Sequence, residues 1–346
     1  MQSTGRLNWA LFLALGFMWG TSYLFIKIGV ETLPTFTLVA TRLGIGLIFL
    51  ASVVAIAREP LPRNPRIYGH LFVMAVVNVA IPFALITTAE QSVDSALAAI
   101  LNGAVPLFVI VIAALFLHDE PITVNRLVGL GVGYAGVIIL VGRSLGTGGE
   151  SSFGGELALI GSTASYGVGA VYARHNVRGL RPMIPALFQV TFGFLITGVI
   201  ALVTENPFAV EWSGRSVFAV VWLGLLGSGL AYLCFFRILQ AWGATRTSMV
   251  AYLLPVVGIV AGAVVLEEVV DAGVLAGTAL VIGGVALVNS PFGRRRLFGR
   301  GTAPATGASL AAARPSGEAA SASPASAGAG SASAGAGSAE QSTSTD

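Results

Sequence analysis

Apolar stretches of about 18 to 24 residues recur from Trp9 to Asn289, each cut from the next by charged or Gly/Pro-containing turns. A helix needs about 20 such residues to cross a bilayer, and irregular backbone cannot face lipid because its N–H and C=O groups would go unpaired. The pattern therefore predicts an all-α polytopic membrane protein. Ten candidate spans are read at 8–29, 36–57, 68–89, 95–117, 123–142, 155–177, 183–204, 216–238, 246–266 and 272–290. The polar turn His118-Asp119-Glu120-Pro121 makes the break between the fourth and fifth especially clear.

Composition agrees with lipid as the main solvent. Apolar residues make up 55% of the chain and charged residues 10%, against about 25% charged in soluble domains. The net charge of +3 does not point to nucleic acid, because the Arg residues sit in short clusters between apolar runs and not along one face. With the N-terminus in the cytoplasm, Arg6, Arg58, Arg63, Arg66, Arg126, Arg174, Arg178, Arg181, Arg237, Arg246 and the Arg294–Arg296 cluster lie inside, and only Arg143 and Arg215 lie outside. Glu31, Glu90, Asp94, Glu205, Glu267 and Glu268 fall in outer loops. This bias predicts a cell-membrane protein with both termini cytoplasmic and an even number of spans. The first apolar run carries Lys27 in place of a cleavage pattern, so it is expected to remain as a helix and not to act as a removable leader. Cys234, the sole cysteine, excludes an intrachain disulfide. Beyond residue 290 the Ala/Ser/Gly-rich composition predicts a disordered cytoplasmic tail over 291–346.

The spans also repeat. At a spacing of 147, Gly20 matches Gly167, Lys27 matches Arg174 and Gly46 matches Gly193. At 149, Gln91 matches Gln240 and Pro106 matches Pro255; at 148, Glu120, Gly129 and Gly136 match Glu268, Gly277 and Gly284. Matches in chain order with so little drift predict a duplicated five-span unit, 1–147 and 148–290. Five is odd, so the second copy enters the membrane from the opposite side, giving an inverted repeat of the kind that lets two packings exchange around a midplane site.

These residues carry a resemblance. Trp19-Gly20-Thr21-Ser22, Arg42, the string Pro106, Glu120, Gly129, Gly136 and its second copy Pro255, Glu268, Gly277, Gly284, with Tyr166-Gly167 standing for Trp19-Gly20, resemble the EamA-like permeases of the drug/metabolite transporter superfamily over about residues 8 to 290. The resemblance implies ten helices in two halves around a central cavity, and export or exchange of amino acids and other small metabolites. Gln189 stands where the first half has Arg42, so any role of that Arg is not duplicated.

A charge within a span is costly, which makes Arg42 the leading candidate. Its planar guanidinium suits a substrate carboxylate or phosphate; the structural alternative is a bond to the end of the first helix or to Glu31. Lys27, near the end of its span, is expected to snorkel to the headgroups. Trp19, Ser22, Tyr23 and Lys27 form one helical stripe, and Ser165 and Tyr166 belong to a comparable one. With Asn78, Asn102, Tyr232 and Tyr252 they complete the candidate substrate-binding set, although each Ser or Thr alone is more often interhelical glue or a bond to its own backbone than a ligand. Trp19 and Tyr252 offer rings for an apolar part of the solute. Pro106 and Pro255 are expected to kink their helices and act in gating. Glu120 and Glu268 are expected as caps or loop anchors.

Because no Asp or Glu falls in the middle of a span, the sequence offers no simple carboxylate proton relay. No GxxxxGK[ST], HExxH or GxSxG occurs, and His70, His118 and His175 lie at span ends, so no cofactor, metal or catalytic residue is assigned. A membrane-embedded enzyme, or a lipid or solute channel, is the alternative to a secondary transporter of a small polar metabolite. Substrate, direction, coupling and oligomeric state are not encoded in any motif.

Overall fold

The computed structural model describes residues 2–116, 122–146, 150–177, 179–242, 247–290 and 296–298. Its helices are α1 (Gln2–Val30), α2 (Thr35–Ile56), α3 (Pro65–Ala89), α4 (Ser95–Phe116), α5 (Val124–Gly146), α6 (Glu150–Asn176), α7 (Met183–Thr204), α8 (214–242), α9 (248–265) and α10 (Ala272–Asn289). Seven of these are long and apolar enough to cross a membrane: α1 to α5, α7 and α8. The helices α9 and α10 are apolar over 17 residues each, about 25 Å of helix and the lower end of what a bilayer needs. Among the described helices, α6 is the one held back by polarity and not by length, since its 27 residues include Glu156 and a run of Ser, Gly and Tyr. Ile48, Ile138, Val199, Val260 and Val264 are all more than half exposed, as apolar side chains facing lipid would be. The chain is a multi-pass membrane protein.

Packing crosses between the first five helices and the last five. The pairs α2 with α7, α4 with α9 and α5 with α10 pack along their lengths. The remaining large contacts come in matched couples: α1 with α8 and α6 with α3, α1 with α9 and α6 with α4, α2 with α8 and α7 with α3. Exchanging each helix for the one five places on leaves this set unchanged. The self-paired helices run antiparallel. Glu205, after α7, accepts from Phe36 N at 2.9 Å and Thr37 N at 2.7 Å at the start of α2, while Arg181, before α7, pairs with Glu59, after α2, at 3.0 Å. Likewise Glu268, after α9, accepts from Ser95 N and Ala96 N at 2.8 and 2.9 Å and so caps α4, a loop anchor as expected. Glu120 lies outside the described residues.

Each such carboxylate satisfies helix-terminal N–H groups that have no partner within their own helix. Replacing Glu205 with Ala leaves two N–H groups unpaired, with an expected cost of about 1–3 kcal/mol, and E205Q should lose less. Thermal unfolding in detergent checks this order.

Repeat-matched glycines mark close approaches. A Cβ on Gly20 would lie 2.5 Å from Val257 Cβ of α9, and one on Gly167 would lie 3.2 Å from Phe108 Cβ of α4, so both glycines face the residue two past the matched prolines. Between α5 and α10 the backbones themselves touch: a Cβ on Gly129 or Gly136 would lie 2.7 Å from Gly284 O or 2.8 Å from Gly277 O. Asn125 then ties the start of α5 to the end of α10, donating to Ser290 O at 2.9 Å. That contact brings the chain past Pro291 beside residue 122. Arg296–Phe298, part of the expected disordered tail, accordingly pairs antiparallel with Ile122–Thr123; this two-stranded ladder departs from a purely helical chain. The rest of the tail lies outside the described residues.

Candidate functional site

Two π-helical segments frame the centre of the molecule, Val76–Ala80 in α3 and Leu223–Leu230 in α8. Their starts are 147 residues apart, the spacing of the repeat. In α3 the cause is Pro82, which has no N–H for Asn78 O, so the turn before it widens. In α8 the run Gly224, Gly227, Ser228, Gly229 supplies little side chain to resist the same widening. Such segments present backbone and side-chain groups that a regular helix would keep to itself.

Against them lie Arg42 and Gln189, the matched residues of α2 and α7. Arg42 is 3% exposed; its Nε donates to Ser228 Oγ at 3.3 Å, and its guanidinium carbon sits 4.2 Å from the Phe83 ring centroid. Gln189 accepts from Asn78 Nδ2 at 3.4 Å. The helices α1 and α6 lean on the same segments: Trp19 Nε1 donates to Gly227 O at 3.2 Å, and Ser165 Oγ donates to Val77 O at 2.7 Å. The departure at Gln189 thus preserves a contact with the π-helical segment and removes the charge.

Tyr166, Tyr232, Glu90 and Tyr23 are the groups whose electrostatic influence reaches Arg42. Tyr23 and Tyr232 are buried, and the Trp19 ring packs 6.2 Å from Tyr232 and 5.4 Å from Phe235. Ser22 adjoins them, since a Cβ on Gly227 would meet Ser22 Oγ at 2.9 Å and Arg42 Nη2 at 3.4 Å, but its own hydroxyl is spent on Met18 O. Among the described residues, neither Nη1 nor Nη2 of Arg42 makes a hydrogen bond. Two parallel donors in a buried setting can take one carboxylate or phosphate.

The other candidates sit apart or serve the frame. Asn102 donates to Ala98 O and accepts from Ser162 Oγ at 3.0 Å, a satisfied buried pair that joins α4 to α6. Tyr252 ends the 3₁₀ turn of α9, partly buried against the main core. Both expected kinks coincide with breaks in regular helix. The α4 ladder lapses at Ala104, two residues before Pro106, and the 3₁₀ turn Ser248–Tyr252 stops three before Pro255.

Three expectations are corrected. Arg42 does not pair with Glu31, which instead meets Arg215 at 3.5 Å. Lys27 does not snorkel: its ammonium donates to Glu90 O and Val93 O, both at 2.8 Å, closing the carboxyl end of α3. Glu90, read as an outer-loop acid, is fully buried. Sequence reasoning also passed over Ser228, Phe83 and Gly227. Carrying the repeat spacing from Asn78 would have reached the glycine run of α8, whereas nothing in the sequence marks Phe83.

Among the described residues, the buried guanidinium of Arg42 lies between two sets of five packed helices. The EamA-like transporter family model matches residues 8–142 and 153–290, and the chain belongs to that family. It is 24% identical over 280 residues to an uncharacterized transporter, YoaV, of Bacillus subtilis, covering 81% of this chain and 96% of that protein. It is 29% identical over 257 residues to the uncharacterized inner membrane transporter YedA of Escherichia coli K12, covering 73% and 80%, and 26% identical to the protein PagO of Salmonella typhimurium, covering 72% and 82%. A solved crystal structure shares the fold with a TM-score of 0.62 at 20% identity, covering 84% of this chain and 99% of that one.

Proposed function

We propose that this chain is a secondary transporter of ten membrane-crossing helices in two oppositely inserted halves. It moves a small polar metabolite with an anionic group, an amino acid or related compound, across the cell membrane by alternating access. Arg42 carries the reading: it is buried, its guanidinium packs on Phe83, and among the described residues its Nη1 and Nη2 make no hydrogen bond. The anionic group docks on those donors, Trp19 and Tyr232 cover the apolar part, and the halves rock about the α2–α7 and α4–α9 seams. Pro106 and Pro255, at matched breaks, are the bends about which the cavity opens. The exchange symmetry of the helix contacts and the two family-matched segments support the inverted layout.

The arginine bias supports cytoplasmic termini, and export or exchange is the expected direction. A comparison of the medium of cells overproducing the chain with that of empty-vector cells tests the substrate class. Accumulation of an amino acid or a related carboxylate is expected, and a change confined to uncharged solutes would contradict the role given to Arg42.

A further inference from the structure

Glu90 lies directly after α3, is fully buried, and neither carboxylate oxygen has a hydrogen-bond partner among the described residues. Its surroundings explain how a carboxyl persists there and why it is not an ordinary ion pair. From α1, the Lys27 ammonium is close but directs its bonds to the Glu90 and Val93 carbonyls, not to the carboxylate. Tyr23 of α1 and Arg42 of α2 exert weaker fields, and Arg42 is turned toward Ser228. The Glu268 carboxylate, fixed on the start of α4, adds a like charge. On α6, Gly155 packs against Val93, and the buried Glu156 follows it. Asp94 lies nearby in the loop, answering to Glu268 and Lys27.

Burial foremost, and then Glu268, hold the Glu90 carboxyl well above the usual carboxylate range, against the pull of Lys27 and Arg42. A buried carboxyl with a raised pKa and no hydrogen bond to either oxygen favours its neutral form when enclosed and its ionised form when water reaches it. A metal cation would need several oxygen ligands beside the Lys27 ammonium, whereas a proton bonds to one carboxylate oxygen and needs no further ligand.

We propose that Glu90 is a proton-binding site, and that movement of solute through the Arg42 centre is coupled to loading and release of a proton there. The carboxylate takes a proton from water on one side when that end is open, carries it as the neutral acid while enclosed, and returns it to water when the halves exchange. Because Arg42 feels Glu90, a solute anion on the guanidinium and a proton on the carboxylate each change the field at the other.

The proposal rests on the transporter reading, and its test separates the two. Full-length protein reconstituted in liposomes is followed by infrared spectroscopy, where the expected result is a protonated-carboxyl carbonyl band at neutral pH that E90Q removes and E90D retains. Absence of any band removed by E90Q overturns the proposal whether or not solute moves. In the same vesicles, preloaded with unlabelled amino acids and given a ¹⁴C-labelled amino-acid mixture outside, an imposed pH gradient should change wild-type counterflow, while E90Q keeps counterflow but loses the pH response. Counterflow in the wild type with no pH response, or with an equal response in E90Q, overturns proton coupling and spares the carrier. No counterflow in any variant, with the Glu90 band present, speaks against the amino-acid reading and leaves the proton site standing.

Discussion

Arg42→Ala is expected to reduce solute flux by about 30-fold to several thousand-fold at equal protein level in the membrane. Truncating the donor of a buried charge-assisted contact costs about 2–5 kcal/mol, and each 1.4 kcal/mol is a factor of about ten in affinity. Arg42 is 3% exposed and its guanidinium lies over the Phe83 ring, so water does not replace it as it would at a surface. Arg42→Lys keeps the charge but gives up the planar fork, and should fall between the wild type and the Ala variant. Uptake of the substrate found in the metabolite comparison, measured in vesicles with quantified protein, checks the series. Flux equal to wild type in Arg42→Ala would make Arg42 a structural contact with Ser228 and nothing more.

Gly284→Leu is the substitution expected to damage the fold most. A Cβ there would lie 2.6 Å from Gly129 O and against the Gly133 backbone, so α5 and α10 would have to part along the seam. Overpacking a close contact costs about 1–3 kcal/mol when side chains can adjust, and here the obstacle is backbone, which places the effect at or above the top of that range. Gly283→Leu supplies the control, because no heavy atom lies within 4 Å of a Cβ at that position. Thermal unfolding in detergent should fall sharply for Gly284→Leu and hold for Gly283→Leu; equal loss in both would remove the seam from the account.

Much of the scaffold was legible because the bilayer imposes a length on each apolar run, and because duplicated residues keep their spacing. Gly20 and Gly167 were legible as repeat matches, and the residues they pack against proved to be matched too: Gly20 with Val257, Gly167 with Phe108. Regular helix lapses two residues before Pro106, and a 3₁₀ turn ends three before Pro255. What stayed hidden depended on distant chain segments. Glu90 stands in the polar run Glu90-Gln91-Ser92, which reads as solvated loop, whereas Lys27 of α1 bonds to the α3 carboxyl end and Glu90 is fully buried. Lys27 itself looked like a headgroup anchor because its partners lie 63 and 66 residues away. Arg42 was conspicuous by cost alone, but its contact with Ser228, 186 residues on, required the π-helical widening of α8 that glycine content hints at and does not locate.

The opposed insertion of the two halves is tested most directly by labelling from one side of the membrane. Leu61 and Phe208 occupy the α2–α3 and α7–α8 loops, are separated by the repeat spacing of 147, and are 52% and 89% exposed. In a Cys234→Ala background, Leu61→Cys and Phe208→Cys should react with a membrane-impermeant maleimide from opposite faces, the first only after the membrane is opened and the second in intact cells. Labelling of both from the same face would contradict the inverted pair and the transport mechanism built on it.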